Sequence, residues 1–169
     1  MSEKVGGEAE QERNDTHNAT RVDRIKKLNS NSVVLDFGCG HGYFVNSLRV
    51  AGISADGYDP FDESFSKMPS GLFDIVALIE VIEHLQYPFK DIELIANKLV
   101  NEGILYIETS FSNWVDESHP YLNPKLGHCT IFSHEGLNIL LAQYGFIPMQ
   151  HISRNVQLYR IHKKCPIKI

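Results

Sequence analysis

Apolar positions recur along the chain in two rhythms. From Thr16 to Leu28, Val22, Ile25 and Leu28 share helical spacing, which predicts a helix with one buried face. Before it, Met1 to about Asn14 are polar and acidic with no apolar period. That stretch reads as a flexible arm, and residues 15–169 as a single domain. Ser32–Phe37 (SVVLDF) is a short β-branched run suited to a buried strand. His41–Val50 follows as a helix with Phe44, Val45 and Leu48 inward, and Ile53–Tyr58 as a second strand. Pro60–Leu72 crosses over with at most a short helix. Phe73–Ile79 is a third strand, Phe89–Val100 a helix and Gly103–Glu108 a fourth strand. This alternation predicts an α/β fold, a doubly wound, mostly parallel sheet. The tail changes rhythm. Ser133 is placed to cap a helix carrying Leu137, Ile139, Leu140 and Leu141 and ending near Gly145. Two strands, about Phe146–Ser153 and Val156–His162, meet at a tight turn at Arg154-Asn155, an antiparallel C-terminal hairpin. The longest irregular segment, Thr109 to about Ile131, is the length of a functional loop.

Composition narrows the function classes. The cysteines are Cys39, Cys129 and Cys165, too few and too scattered for a disulfide framework or a paired zinc knuckle. A reducing cytoplasm is the expected location. No apolar run reaches membrane-spanning length, and the N-terminus lacks the apolar core of a signal peptide. A net charge of −5 disfavours nucleic acid as a partner. A monomer or a homodimer through the sheet edge is the expected assembly.

The strongest chemical signal is Val33-Val34-Leu35-Asp36-Phe37-Gly38-Cys39-Gly40-His41-Gly42. A strand enters a glycine turn and then a helix. Gly38, Gly40 and Gly42 allow unusual dihedrals and close approach of a ligand to the backbone. Gly57-Tyr58-Asp59-Pro60 ends the next strand, and an acid there accepts hydrogen bonds from ribose hydroxyls. The G-x-G-x-G spacing departs from the G-x-G-x-x-G of dinucleotide binders, and no G-K-[ST] grips phosphate. Asp36 repels pyrophosphate and suits a cationic ligand.

With VLDFGCGHG, GYDP, FDIVALIEVIEHLQYP, GILYIETS and FSHEGLNILLAQYGF in this order, the chain resembles the class I S-adenosylmethionine-dependent methyltransferases from about Ser32 to His162. The resemblance implies a Rossmann-like methyltransferase fold, usually of seven strands with the last two antiparallel. It implies S-adenosylmethionine as cofactor, leaving as S-adenosylhomocysteine. Asp36, Gly38 and Gly40 would contact the methionine end, Asp59 the ribose, Pro60 or Phe61 the adenine, and Glu80 would face the cofactor cleft, with Gly42 also among the cofactor-binding residues. Gly6-Gly7-Glu8-Ala9-Glu10 and His128-Cys129-Thr130-Ile131-Phe132-Ser133 resemble a branch of small methyltransferases acting on sugars, polysaccharides or metabolites.

The expected activity is methyl transfer to a small-molecule hydroxyl. That chemistry aligns acceptor and methyl in line and takes up a proton. His84, His119 and His128 are the candidate catalytic residues, the last two on the long loop with Trp114 and Tyr121. These residues equally suit a surface loop whose aromatics pack down. Glu80-Val81-Ile82-Glu83-His84 also resembles the metal site of small-RNA 3′-end 2′-O-methyltransferases and of some quinone-biosynthesis O-methyltransferases. If the chain turned helical straight after the third strand, Glu80, Glu83 and His84 would share a face, and with His128 hold a divalent metal. Glu-His at this place also occurs in metal-free members, so the expected metal set is empty, with metal-assisted methylation of a 2′- or vicinal hydroxyl as the alternative. A non-catalytic cofactor-binding partner subunit is the other. The basic tail (Arg154, Arg160, His162, Lys163, Lys164, Lys168) suits an anionic substrate or a solvated strand edge.

Overall fold

The computed structural model describes residues 3–116 and 118–163. Lys164, Cys165 and Lys168 lie outside them. Contacts gather into two compact units, one ending at Pro69 and the other beginning at Ser70.

The first unit opens with α1 (Glu3–Asn29). Its start corrects the expectation of a loose arm to about Asn14. Glu, Ala, Gln and Arg dominate this stretch, and these are good helix formers without any apolar face. Val22 and Ile25 are buried as their spacing predicts. β1 (Val33–Phe37) pairs in parallel with β2 (Ser54–Tyr58), with Asp36 opposite Gly57. Between them lies α2 (Tyr43–Val50), which buries Phe44, Val45 and Leu48. Removing three such side chains from water stabilises the unit by about 1.5–3 kcal/mol each. No helix forms in 60–69.

In the second unit β3 (Phe73–Ile79) pairs in parallel with β4 (Leu99–Glu108), and α3 (Pro88–Lys98) connects them. Pro88 sits in the first turn of α3, where its missing N–H costs nothing. β4 starts earlier than its sequence suggests. The chain leaves α3 at Lys98 and turns at Glu102, whose φ is 63°. α4 (His134–Ala142) is capped as expected: the Ser133 hydroxyl accepts the Gly136 N–H at 2.9 Å. Such a cap is worth about 1 kcal/mol. β5 (Phe146–Ser153) and β6 (Val156–Ile161) form the C-terminal hairpin, and the strand order is β3-β4-β6-β5 with the last two pairings antiparallel. The described residues thus hold six strands, one fewer than the resemblance implies. No helix among them is long and apolar enough to cross a membrane.

Candidate active site

The glycine turn follows β1. Gly38, Gly40 and Gly42 all have positive φ (82°, 51° and 76°), a conformation that side chains with a Cβ rarely adopt. The Gly38 and Cys39 N–H groups both donate to the Tyr58 carbonyl, tying the turn to the tip of β2. The three glycines differ in what lies beside them. A Cβ on Gly40 would meet nothing within 4 Å. A Cβ on Gly42 would fall 2.5 Å from the Phe65 ring. Gly42 therefore makes room for Phe65, where the resemblance implied a cofactor contact. Gly57 does the same from β2: its Cβ would stand 2.6 Å from the Cys39 sulfur and 2.8 Å from Phe65. Gly57 is buried, so these atoms have little room to retreat. Gly57→Ala is expected to lower stability by about 1–3 kcal/mol. An unchanged denaturant midpoint would show that Phe65 does not fill this place.

Asp59 organises the turn. Its Oδ2 accepts the Gly40 N–H and its Oδ1 the Phe61 N–H, both at 2.9 Å. Each carboxylate oxygen keeps a second lone pair for a ligand hydroxyl. Pro60 is exposed, and Phe61 is 96% exposed, an unpacked aromatic beside the carboxylate.

Asp36, on β1, is only 3% exposed. Burial pushes its carboxyl up to about 7; the nearby Arg21 guanidinium draws it back down, and the Asp59 carboxylate raises it further. The Cys39 thiol is pushed up to about 12 by burial, then by the charges of Asp36 and Asp59. The turn is a region of negative field, which attracts a cation and repels phosphate.

The acceptor candidates lie in the second unit. Glu80 ends β3 with φ at 54°, and its N–H donates to the Glu108 carbonyl at 2.8 Å. This left-handed residue stops the chain from turning helical at once. Only a single 3₁₀ turn, Ile82–His84, follows. The face expected for Glu80, Glu83 and His84 does not form as drawn from the sequence. Glu83 is 1% exposed, while Glu80 and His84 are exposed.

A different group assembles instead. Glu83, His84 and His128 each bring one candidate ligand atom, and these lie within 4.8 Å of one another; Glu80 is not among them. The Glu83 carbonyl accepts the N–H groups of Cys129 and Thr130, which pins the far end of the long loop beside the 3₁₀ turn. His84 Nδ1 lies 3.2 Å from the Gly127 carbonyl, and His128 Nδ1 2.6 Å from the Tyr121 carbonyl. The Thr109 hydroxyl donates to Glu83 Oε2 at 2.9 Å and lies 2.9 Å from the Tyr121 hydroxyl. Thr109 has one proton and gives it to the carboxylate, so Tyr121 donates to Thr109. Tyr121 also lies against His128, with ring centroids 3.9 Å apart.

His119 has another task. Its Nδ1 accepts the Tyr121 N–H at 3.2 Å and caps the 3₁₀ turn Pro120–Leu122. It lies outside the Glu83–His84–His128 group. In the tail, Arg160 and His162 both meet Glu102 on β4.

Thr109 and Tyr121 carried no sequence signal for this role. A hydroxyl after a strand and a tyrosine in a loop are both common, and only the fold joins them to Glu83.

A family model described as a methyltransferase domain matches residues 10–151. No curated protein sequence matches the chain. Among solved structures, the chain is similar to 1,6-didemethyltoxoflavin-N1-methyltransferase of Burkholderia thailandensis, solved with its substrate and S-adenosylhomocysteine. The TM-score is 0.62 at 16% identity, over 82% of this chain and 74% of that one. It is also similar to magnesium protoporphyrin IX methyltransferase of Synechocystis, solved with S-adenosylhomocysteine, with a TM-score of 0.60 at 16% identity over 90% and 83% of the two chains. An S-adenosylmethionine-dependent methyltransferase of Archaeoglobus fulgidus gives 0.60 at 23% identity over 79% and 69%. These likenesses establish the Rossmann-like fold with its antiparallel C-terminal hairpin. The family match covers most of the sequence, and the chain belongs to the methyltransferase-domain family.

Proposed function

We propose that the chain binds S-adenosylmethionine on the glycine turn after β1 and transfers its methyl group to a hydroxyl of a small molecule. The observation that carries the cofactor half is Gly40: open space on its bare face, a positive φ, and an N–H held by Asp59. In this reading Asp36, Gly38 and Gly40 take the methionine end, whose ammonium and sulfonium suit the negative field. Asp59 accepts from the ribose hydroxyls through its remaining lone pairs. Pro60 and the exposed Phe61 ring cover the adenine.

Acceptor chemistry falls to Glu83, His84 and His128. In both rings Nδ1 faces a carbonyl, which can only accept. The proton therefore sits on Nδ1, and Nε2 keeps the basic lone pair. A hydroxyl acceptor needs such a group to take its proton. The similar structures act on a toxoflavin precursor and on a magnesium porphyrin, acceptors with little in common. Their fold therefore does not name the acceptor here. The net charge of −5 favours a small molecule over nucleic acid.

Asp59→Ala tests the cofactor half. It removes two charge-assisted hydrogen bonds inside the turn and those expected to the ribose. S-Adenosylhomocysteine affinity should fall by about 1–3 kcal/mol, measured by calorimetry. Unchanged affinity in a folded variant would move the ribose elsewhere. Release of S-adenosylhomocysteine from S-adenosylmethionine across a set of hydroxyl acceptors tests the other half. No release with any of them would favour a non-catalytic binding subunit.

A further inference from the structure

We propose that His41 and Asp62 form a positioning pair, which holds the segment 59–65 in the pose that receives the adenosine half of the cofactor. The inference rests on the cofactor reading above, and one of its two readouts needs no ligand.

The segment is placed without help from regular structure. No helix forms in 60–69, and Phe61, whose ring covers the adenine in this reading, is 96% exposed. A loop with so little buried surface opens easily unless point contacts hold it. Three such contacts join it to the glycine turn and the tip of β2. Asp59 Oδ2 accepts the Gly40 N–H. The Phe65 ring fills the space beside Gly42 and Gly57. Between these two ends, Asp62 Oδ2 stands 2.8 Å from His41 Nδ1. His41 thus ties the middle of the segment to the turn.

Asp62 is also the hub of the segment's own bonding. Its Oδ1 accepts the Ser64 N–H at 2.9 Å. Its N–H donates to the Asp59 carbonyl at 3.3 Å, and its carbonyl accepts the Phe65 N–H at 3.1 Å. The Asp59 N–H closes the ring on the Phe65 carbonyl at 3.0 Å. Fixing the Asp62 carboxylate therefore fixes Asp59, and Asp59 holds the Phe61 N–H.

The chemistry of the pair suits this task. A carboxylate only accepts, so His41 Nδ1 carries the proton and donates it. That bond, and then the Ser64 N–H, hold the Asp62 carboxyl below the usual carboxylate range, so the acceptor stays charged at neutral pH. The His41 side chain is 78% exposed and that of Asp62 17%, so the imidazole screens the carboxylate from water. Its outer face meets Tyr43 edge-on. Such a pair adds little to global stability. Its effect is local: it orders a few loop residues before the ligand arrives, which spares that ordering at binding.

Two measurements test the pair. In ligand-free His41→Ala, the Ser64 and Phe65 N–H groups should exchange with deuterium several-fold faster than in the wild type, with α2 unchanged. By calorimetry the same variant should bind S-adenosylhomocysteine about threefold to tenfold more weakly, the range for a charge-assisted bond that water partly screens. 5′-Methylthioadenosine, which keeps the adenosine and lacks the amino-acid end, should lose the same factor. His41→Asn, whose amide nitrogen can stand where Nδ1 does, should restore both readouts. Unchanged affinity in His41→Ala would overturn the proposal. So would a loss confined to S-adenosylhomocysteine, which would put His41 at the methionine end. A folded wild type that binds neither ligand would overturn the cofactor reading and this proposal with it, and the exchange result tells that case from a failure of the pair itself.

Discussion

Gly40→Val should abolish S-adenosylhomocysteine binding, by about a hundredfold or more, while the protein still folds. Both halves of that expectation come from the same residue. A Cβ at Gly40 meets no protein atom within 4 Å, so the fold leaves space where a side chain would begin. The cost to the fold is backbone strain. With φ at 51°, a β-branched residue is held in the left-handed region, at about 1–3 kcal/mol. The cost to the ligand is larger, because the open face of Gly40 is where the cofactor must approach the backbone. Gly40→Ala separates the two effects. It carries the same φ but much less volume, so it should lose less affinity than valine. Equal losses in the two variants would assign the effect to the backbone. Full binding by Gly40→Val would place the cofactor elsewhere.

Asp36 should make both stability and cofactor affinity depend on pH, in opposite directions. Burial raises its folded-state pKa from 3.8 to about 7. Below pH 4 it is protonated whether the chain is folded or not. Between 4 and 7 the unfolded chain loses the proton and the folded chain keeps it, so stability falls as pH rises and the loss is complete above 7. Asp36→Asn removes this penalty. Relative to wild type, the ligand-free variant should gain about 2–4 kcal/mol between pH 4 and pH 8, read by denaturant unfolding. Cofactor binding reverses the preference. A cationic ligand beside Asp36 favours the carboxylate, so binding below pH 7 expels a proton. Affinity should rise by up to ~25-fold from pH 5.5 to 7.5 in the wild type and stay flat in Asp36→Asn. A flat wild-type profile would show that the cation does not approach Asp36. Arg21 and Asp59 act on the same carboxyl from α1 and from the tip of β2. Their replacement should move the midpoint up and down respectively.

How much of this could be read from the residues alone depends on the range of the interactions. Val33–Phe37 declares itself as a strand because a fully covered strand must be apolar on both faces. Ser133 declares a helix start because its hydroxyl bonds a group three residues away. The hairpin turn at Arg154-Asn155 is equally local. The Asp36, Gly40 and Asp59 pattern was visible because one strand–turn–helix motif and one strand tip supply it. What stayed hidden is long-range. The ring of Phe65 fills the space that Gly42 and Gly57 leave, and no spacing rule links those three positions. Nothing in the sequence links Glu83 to Thr109, against which it is buried. Glu80 takes a left-handed conformation that glycine usually holds, so only one 3₁₀ turn follows β3 and the face that an immediate helix would have given does not form. The early part of α1 was missed for a simpler reason. A helix with no apolar stripe offers no period to detect.

The central claim is that the turn between β1 and α2 holds S-adenosylmethionine. Calorimetric titration of the purified protein with S-adenosylhomocysteine, with NAD as the control, tests it most directly. The account predicts micromolar binding of one S-adenosylhomocysteine per chain and no binding of NAD. Binding of NAD with equal strength, or no binding of S-adenosylhomocysteine by the folded protein, would contradict it.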